Sequence, residues 1–191
     1  MNTPMTQRKQ DRLRNRRISV SSLVDLLELT EFSLTLVTTR GDAVAAASVL
    51  GSALGITAGA VVGTMTGHEK GIRVLCLGPG RWLVRDTRET SGLIIPDNTA
   101  TFDLSDAWRL FQISGIAARR LLASGCPLDL NPARFASGQC ASTRLDEFRV
   151  ILCCVTPDTY ELYVERSYCE DLRARLVLRA AGLSAPAEME A

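Results

Sequence analysis

A run of twenty-five residues without a charged side chain, 43–67, constrains the fold of this chain more than any other feature of the sequence. Its length, and glycines at positions 51, 55, 59, 63 and 67, are typical of a transmembrane helix. However, its apolar residues are mostly alanine, and each glycine inside a helix costs about 1 kcal/mol relative to alanine. Alternatively, Asp42 caps a helix through Leu54, Gly55 stops it, and 56–64 continues as a buried segment or strand. We favour this second interpretation, in which the run lies inside a soluble fold.

The remaining composition is that of an ordinary folded domain. The 191 residues include 46% apolar and 23% charged side chains, which suffices for one domain or two small ones with a shared core. The 22 basic and 21 acidic residues nearly cancel, which argues against a dedicated nucleic-acid binder. Because basic residues concentrate at the start of the chain, we predict a disordered basic tail over 1–17, one domain over 18–183 and a C-terminal tail over 184–191.

No set of residues in the sequence forms a recognisable catalytic centre. The single histidine, His68, has no nucleophile in a suitable setting nearby. The six cysteines include no C-x-x-C pair, so we expect reduced intracellular thiols and no zinc or iron–sulfur site. No glycine-rich phosphate loop occurs, and Pro79 would remove a backbone donor from the segment 78–80. We therefore expect no catalytic, cofactor-binding or metal-binding residue in this chain.

Alternating helical and strand-like runs predict an α+β fold. Strands are expected at 32–38, 72–77, 82–85, 101–104, 109–113, 139–145, 148–155 and 160–164. Besides the helix after Asp42, helices are expected from a cap at Ser21 or Ser22 to Thr30, over 115–123, and from a cap at Ser167 to Ala181. Residues 86–99 are expected to form mostly loop. Asp103 is expected to end a strand and Ser105 or Asp106 to cap the turn that follows, rather than the two aspartates forming an acid–base pair.

Several motifs of the second half occur together in one protein family. They are TFDLSDAWRLFQISG at 101–115, GCPLDL at 125–130, FASGQCAST at 135–143 and YELYVERS at 160–167, with LGPGRWLV upstream at 77–84. On these motifs, the chain resembles the γ subunit of heterotetrameric sarcosine oxidase over about residues 32–182. That family resembles the folate-binding domain of the glycine-cleavage T-protein. The resemblance therefore implies a T-protein-like fold of repeated strand–helix units with mixed, largely antiparallel sheets.

The resemblance also implies a non-catalytic chain within an oxidoreductase of sarcosine catabolism and one-carbon metabolism. In that family, the α and β chains hold FAD, FMN, NAD and tetrahydrofolate, and the δ chain binds zinc, whereas the γ chain carries no cofactor. The complex converts sarcosine to glycine, with formaldehyde or methylenetetrahydrofolate and hydrogen peroxide as the other products. We expect a cytoplasmic γ-type subunit that assembles with α, β and δ chains and binds neither nucleic acid nor membrane. The alternatives are a small subunit of a related N-methyl amino acid dehydrogenase, a free-standing folate-dependent aminomethyltransferase, or an arginine-tailed adaptor for nucleic acid or membrane.

A contact surface for the α chain is predicted on the loop that follows Gly125. Leu128 and Leu130 lie there without the periodicity that would bury them locally. The predicted contact residues are Trp82, Cys126, Leu128, Asp129, Leu130, Gly138 and Cys140. In that case, changing both leucines to aspartate should abolish assembly and leave the isolated chain folded. The alternative is that the two leucines cover this chain's own core.

Overall fold

The structure is a computed structural model that describes residues 15–19, 22–67, 71–87 and 99–183. Its strands are β1 Arg16–Ser19, β2 Asp25–Leu29, β3 Ser33–Thr39, β4 Met65–Gly67, β5 Arg73–Gly78, β6 Arg81–Asp86, β7 Thr99–Asp103, β8 Trp108–Ser114, β9 Gln139–Leu145, β10 Phe148–Thr156 and β11 Thr159–Glu165. Its helices are α1 Ala43–Leu54, α2 Ala118–Ala123 and α3 Cys169–Ala181, with a 3-10 turn at Arg166–Tyr168. The predicted α+β class is confirmed.

The strands form two antiparallel sheets that are packed between helices. The first sheet has the order β1-β2-β8-β11-β10-β9, and the second has the order β4-β5-β6-β3-β7. One core lies between the two sheets, where side chains such as Leu34 and Leu83 meet Leu110 and Tyr163. A second core lies between the outer face of the first sheet and helices α2 and α3. A third core lies between the second sheet and α1, so the layers run helix, sheet, sheet, helix.

The helix in the uncharged run and its stop are as the divided interpretation predicts, but 56–64 forms no strand and is only partly buried, with Val61 and Val62 exposed. Asp42 Oδ1 accepts hydrogen bonds from the backbone amides of Val44 at 2.8 Å and Ala45 at 3.3 Å, and Gly55 ends α1 in the left-handed conformation with φ 68°. A side chain at Gly51 would meet the Ile56 carbonyl at 2.7 Å, so this glycine lets the following segment fold back onto the helix. That segment is irregular up to an isolated bridge at Thr64. No helix among the described residues has the length and hydropathy needed to cross a membrane.

The helix predicted from Ser21 or Ser22 to Thr30 is wrong. The chain forms the strand β2 there, and Ser21 lies outside the described residues. Leu26 on β2 pairs with Ile113 on β8, which gives the segment a partner strand that local periodicity cannot reveal.

The N-terminal strand extends into the segment predicted to be a tail. β1 begins at Arg16, and Arg17 pairs with Leu27 across the ladder. The Arg17 guanidinium also donates to the Asp25 carboxylate at 2.9 Å. Regular structure therefore starts before the predicted domain boundary at residue 18, whereas 1–14 lie outside the described residues.

The last two predicted helices are present, but each begins at a later residue than predicted. Helix α2 begins at Ala118 rather than at Gly115, which has φ 118° and lies so close to the Leu23 carbonyl that a Cβ would sit 2.4 Å from its oxygen. Helix α3 begins at Cys169 without a side-chain cap, because Ser167 lies in the 3-10 turn before it. The predicted end of this helix at Gly182 is confirmed.

The buried thiol at the start of α3 is expected to make stability fall at alkaline pH. Cys169 donates to Glu28 Oε1 at 3.6 Å, and burial, followed by the charge of Glu28, raises the pKa of this thiol from 9.0 to about 12. Above pH 9.0, the unfolded chain releases this proton while the folded chain keeps it. The free energy of unfolding should then fall by about 1.4 kcal/mol per pH unit until the folded pKa is reached.

Urea denaturation of the wild type and of Cys169→Ala over this pH range measures the effect. The unfolding free energy of the wild type minus that of Cys169→Ala should be constant below pH 9.0 and should decrease above it. Parallel curves over the whole range would show that Cys169 does not titrate in this way.

Candidate functional site

Three charged side chains are buried between the two sheets. Arg73 on β5, Arg85 on β6 and Glu161 on β11 are 3%, 2% and 1% exposed. The Glu161 Oε1 atom lies 2.9 Å from Arg73 Nη1 and 3.5 Å from Arg85 Nη1. The other carboxylate oxygen, Oε2, accepts a hydrogen bond from the Tyr163 hydroxyl at 2.9 Å. One carboxylate of the first sheet therefore holds two guanidinium groups of the second.

The alternation of side chains along each strand places these charged groups in the space between the two sheets. Arg73 and Leu75 share one face of β5, and Glu161 and Tyr163 share one face of β11. Arg73 and Arg85 are also direct partners in the register of β5 and β6. Two like charges placed opposite each other in a buried sheet repel, and the carboxylate between them offsets this repulsion.

Neighbouring groups supply further polar contacts to this charged cluster. The Arg73 guanidinium donates to the Met65 Sδ atom at 3.8 Å. Burial, together with the negative charge of Glu161, raises the pKa of the Tyr163 hydroxyl well above its ordinary value. Tyr163 therefore stays protonated and remains a hydrogen-bond donor to Glu161.

A cavity of about 300 Å³ opens beside the charged cluster. Arg85, Glu161 and Gln112 contribute its polar wall, and Leu29 and Phe32 are among its apolar lining. Among the described residues, no group of three or more His, Cys, Asp or Glu side chains could hold a metal ion. His68 lies outside these residues.

The structure separates the predicted contact residues into two groups. The side chains of Trp82, Cys126, Leu130 and Cys140 are buried in this chain's own core. Leu130 thus follows the alternative interpretation, and replacing it with aspartate would disrupt the fold as well as any contact. Leu128, Asp129 and Gly138 are partly or fully exposed, and for them a contact with another chain stays a prediction.

Trp82 has a structural role in this chain's own core. Its ring is fully buried under α1, and its indole N–H donates to the Gly59 carbonyl at 2.9 Å. Gly59 belongs to the segment that follows α1, so this hydrogen bond fixes the uncharged run against the second sheet. The predicted contact role of Trp82 would require the ring to leave this position.

Asp103 ends β7, as predicted, and its side chain also holds the turn that follows. Its Oδ1 atom accepts hydrogen bonds from the Ser105 amide at 2.9 Å and from the Ser105 hydroxyl at 2.6 Å. The Ser105 hydroxyl in turn accepts a hydrogen bond from the Leu34 amide at 3.0 Å, which links this turn to β3. These contacts place the carboxylate in a local structure rather than in a catalytic pair.

The charged cluster was not identified from the sequence, although a signal for it exists there. Arg73, Arg85 and Glu161 are each buried in a strand whose other buried residues are mainly apolar. A charged residue on the buried face of a strand needs a partner of opposite charge. Two arginines and one glutamate in three such strands would have indicated a shared site.

Comparison with known proteins supports the predicted resemblance. No family model matches the chain. The sarcosine oxidase subunit gamma of Corynebacterium sp. (strain U-96) is 27% identical over 129 residues, which cover 64% of this chain and 63% of the relative. The subunit gamma of Arthrobacter sp. is 32% identical over 112 residues, or 55% of each chain. The match therefore spans less than two thirds of either curated relative.

Two solved structures have a similar fold. A chain of the heterotetrameric sarcosine oxidase from Corynebacterium sp. U-96, in complex with pyrrole 2-carboxylate, has a TM-score of 0.75 at 25% identity, covering 85% of this chain and 86% of that one. The glycine cleavage system aminomethyltransferase T from Bartonella henselae has a TM-score of 0.59 at 15% identity, covering 87% of this chain and 53% of that one. The predicted resemblance and the predicted T-protein-like fold are both confirmed.

Proposed function

We propose that this chain is the γ-type subunit of a heterotetrameric sarcosine-oxidase-like complex and supports its assembly without catalysing the reaction alone. The observation that carries the proposal is the fit to a chain of a solved heterotetrameric sarcosine oxidase over 86% of that chain's length. The two similar curated proteins, both sarcosine oxidase gamma subunits, agree with it.

Within this proposal, the chemistry belongs to the other subunits. The α and β chains would hold FAD, FMN, NAD and tetrahydrofolate, and a δ chain would hold zinc. The complex would oxidise sarcosine to glycine in the cytoplasm, with formaldehyde or methylenetetrahydrofolate and hydrogen peroxide as the other products. The charged cluster fits a structural role in this chain, because its carboxylate is already engaged by two arginines and one tyrosine.

Copurification tests the proposal directly. The tagged chain is expressed together with the α, β and δ chains encoded by the same organism, and the purified material is assayed for flavin absorbance and sarcosine-dependent hydrogen peroxide release. We expect the untagged chains to copurify with flavin and activity. The tagged chain expressed alone should be colourless and inactive. Recovery of the tagged chain without partners, or a yellow and active preparation of the chain alone, would contradict the proposal.

The loop at Leu128 offers a sharper test of where the α chain binds. Leu128 packs against the core beneath the helices but is only partly buried, so Leu128→Asp should cost less stability than a substitution at the buried Leu130 and should leave the isolated chain folded. If the loop contacts the α chain, we expect the apparent dissociation constant to rise on the order of tenfold, which corresponds to about 1.4 kcal/mol.

Leu178→Asp is the matched control, because Leu178 is 70% exposed on α3. The two variants are compared by thermal unfolding of the isolated chain and by titration with the α chain. If both variants are folded and bind the α chain with equal affinity, the contact lies elsewhere on this chain. The subunit proposal itself is then tested only by copurification.

A further inference from the structure

Two of the six cysteines face each other across neighbouring strands. Cys140 on β9 is the register partner of Cys153 on β10. Both are free thiols, buried in the core between the two sheets. Because the two residues are register partners, their side chains project from the same face of the sheet into this core.

The backbone places this pair at a position suited to a disulfide. The Cys140 amide donates to the Gly63 carbonyl at 2.8 Å, away from β10, as expected where two opposed residues do not exchange backbone hydrogen bonds. In such antiparallel pairs, the Cα atoms are about 4.5 Å apart and the side chains are closest. Disulfides commonly span Cα separations of about 4.4–6.8 Å, so the bond can form without moving the strands.

We propose that Cys140 and Cys153 form a reversible cross-strand disulfide when the protein is oxidised by hydrogen peroxide. The Cys140 thiolate attacks one peroxide oxygen, the O–O bond breaks, and a sulfenic acid and hydroxide form; the hydroxide takes up the thiol proton to give water. The Cys153 sulfur then attacks the sulfenic sulfur. The S–O bond breaks, the S–S bond forms, and the leaving hydroxide takes the Cys153 proton as a second water. Two thiols are oxidised by two electrons, and one peroxide is reduced to two waters.

Cys140 is the better first nucleophile of the two. The opposed Cys153 thiol lowers the pKa of the Cys140 thiol, whereas burial raises the pKa of Cys153 well above its ordinary value. Cys140 also lies on the last strand of its sheet, near the segment 63–65, while Cys153 lies on the strand inside it. The attacking thiol and the resolving thiol are thus distinguished by their surroundings.

The neighbouring cysteine on β10 provides an internal control. Cys154 follows Cys153 directly, so its side chain points to the opposite face of the sheet, where it belongs to the core beneath the helices. Its register partner is Gln139 rather than a cysteine. Cys154 should therefore take no part in the bond.

The experiment treats the full-length chain with hydrogen peroxide, then denatures it in acid and alkylates the remaining thiols with N-ethylmaleimide. We expect two of the six cysteines to become unreactive, peptide mapping to show one cross-linked pair that contains Cys140 and Cys153, and dithiothreitol to restore both thiols. Cys154→Ser should behave like the wild type. Cys153→Ser should stop at a sulfenic acid on Cys140, which dimedone labels.

Several outcomes would overturn the proposal. They are a lack of reaction in the wild type, a cross-link through any other cysteine, or oxidation of Cys140 to a sulfinic acid without a cross-link. Loss of two thiols in Cys140→Ser would have the same meaning. Circular dichroism of each variant before oxidation confirms that the strands are intact, so that a negative result reports on the chemistry.

Discussion

Replacing Glu161 with alanine should lower the free energy of unfolding by about 3–5 kcal/mol. The substitution removes the carboxylate that holds Arg73 and Arg85, and both guanidinium groups are almost fully buried. They would remain charged and opposite each other in the register of β5 and β6. The Tyr163 hydroxyl would lose its acceptor at the same time. Urea denaturation followed by circular dichroism measures the loss.

Glu165→Ala is the matched control for this substitution. Glu165 lies four residues further along the same strand and is exposed, so its replacement should change stability by no more than about 0.5 kcal/mol. Glu161→Gln keeps the size of the side chain and an acceptor for Tyr163 but removes the charge, and it isolates the charge contribution. If Glu161→Ala and Glu165→Ala have the same urea midpoint, the buried cluster does not stabilise the fold.

Replacing Trp82 with alanine should destabilise the chain by a similar amount, about 3–5 kcal/mol. The substitution leaves a large cavity beneath α1, and the Gly59 carbonyl loses its indole donor. Phenylalanine at position 82 fills much of the cavity but has no N–H to donate to Gly59. Trp82→Phe should therefore lower the free energy of unfolding by only about 1–3 kcal/mol, which measures the loss of the hydrogen bond.

Trp108→Ala serves as the control, because Trp108 is only partly buried and should cost less. Differential scanning calorimetry on the three variants ranks the losses. A Trp82→Ala chain that keeps its melting temperature but fails to bind the α chain would restore the prediction that Trp82 is a contact residue.

Elements with local signals were predictable from the sequence. The cap at Asp42 and the stop at Gly55 define α1 by short-range hydrogen bonds and backbone conformation. The hairpin of β9 and β10 turns at Asp146, which has φ 54°, between two runs of strand-forming residues. These features depend on neighbours within a few residues, and the sequence displays such neighbours directly.

Elements defined by distant partners were not predictable in the same way. The segment of β2 contains leucines at both helical and strand spacing, and only its pairing with β8 decides between them. The burial of Leu130 likewise depends on the core beneath α2 and α3. The charged cluster joins the consecutive strands β5 and β6 to β11, which lies far along the chain. No local window of the sequence contains that information.

The strand order of the first sheet has a consequence for synthesis on the ribosome. The strand β2 leaves the ribosome early, but its partner β8 follows only after the whole second sheet. Until then, β2 has an unsatisfied edge, because β1 covers only its other side. The second sheet can pair within itself during this delay, since its strands are contiguous in the chain. A nascent chain that stalls before β8 would therefore expose the leucines of β2, which makes it a substrate for chaperones and prone to aggregation.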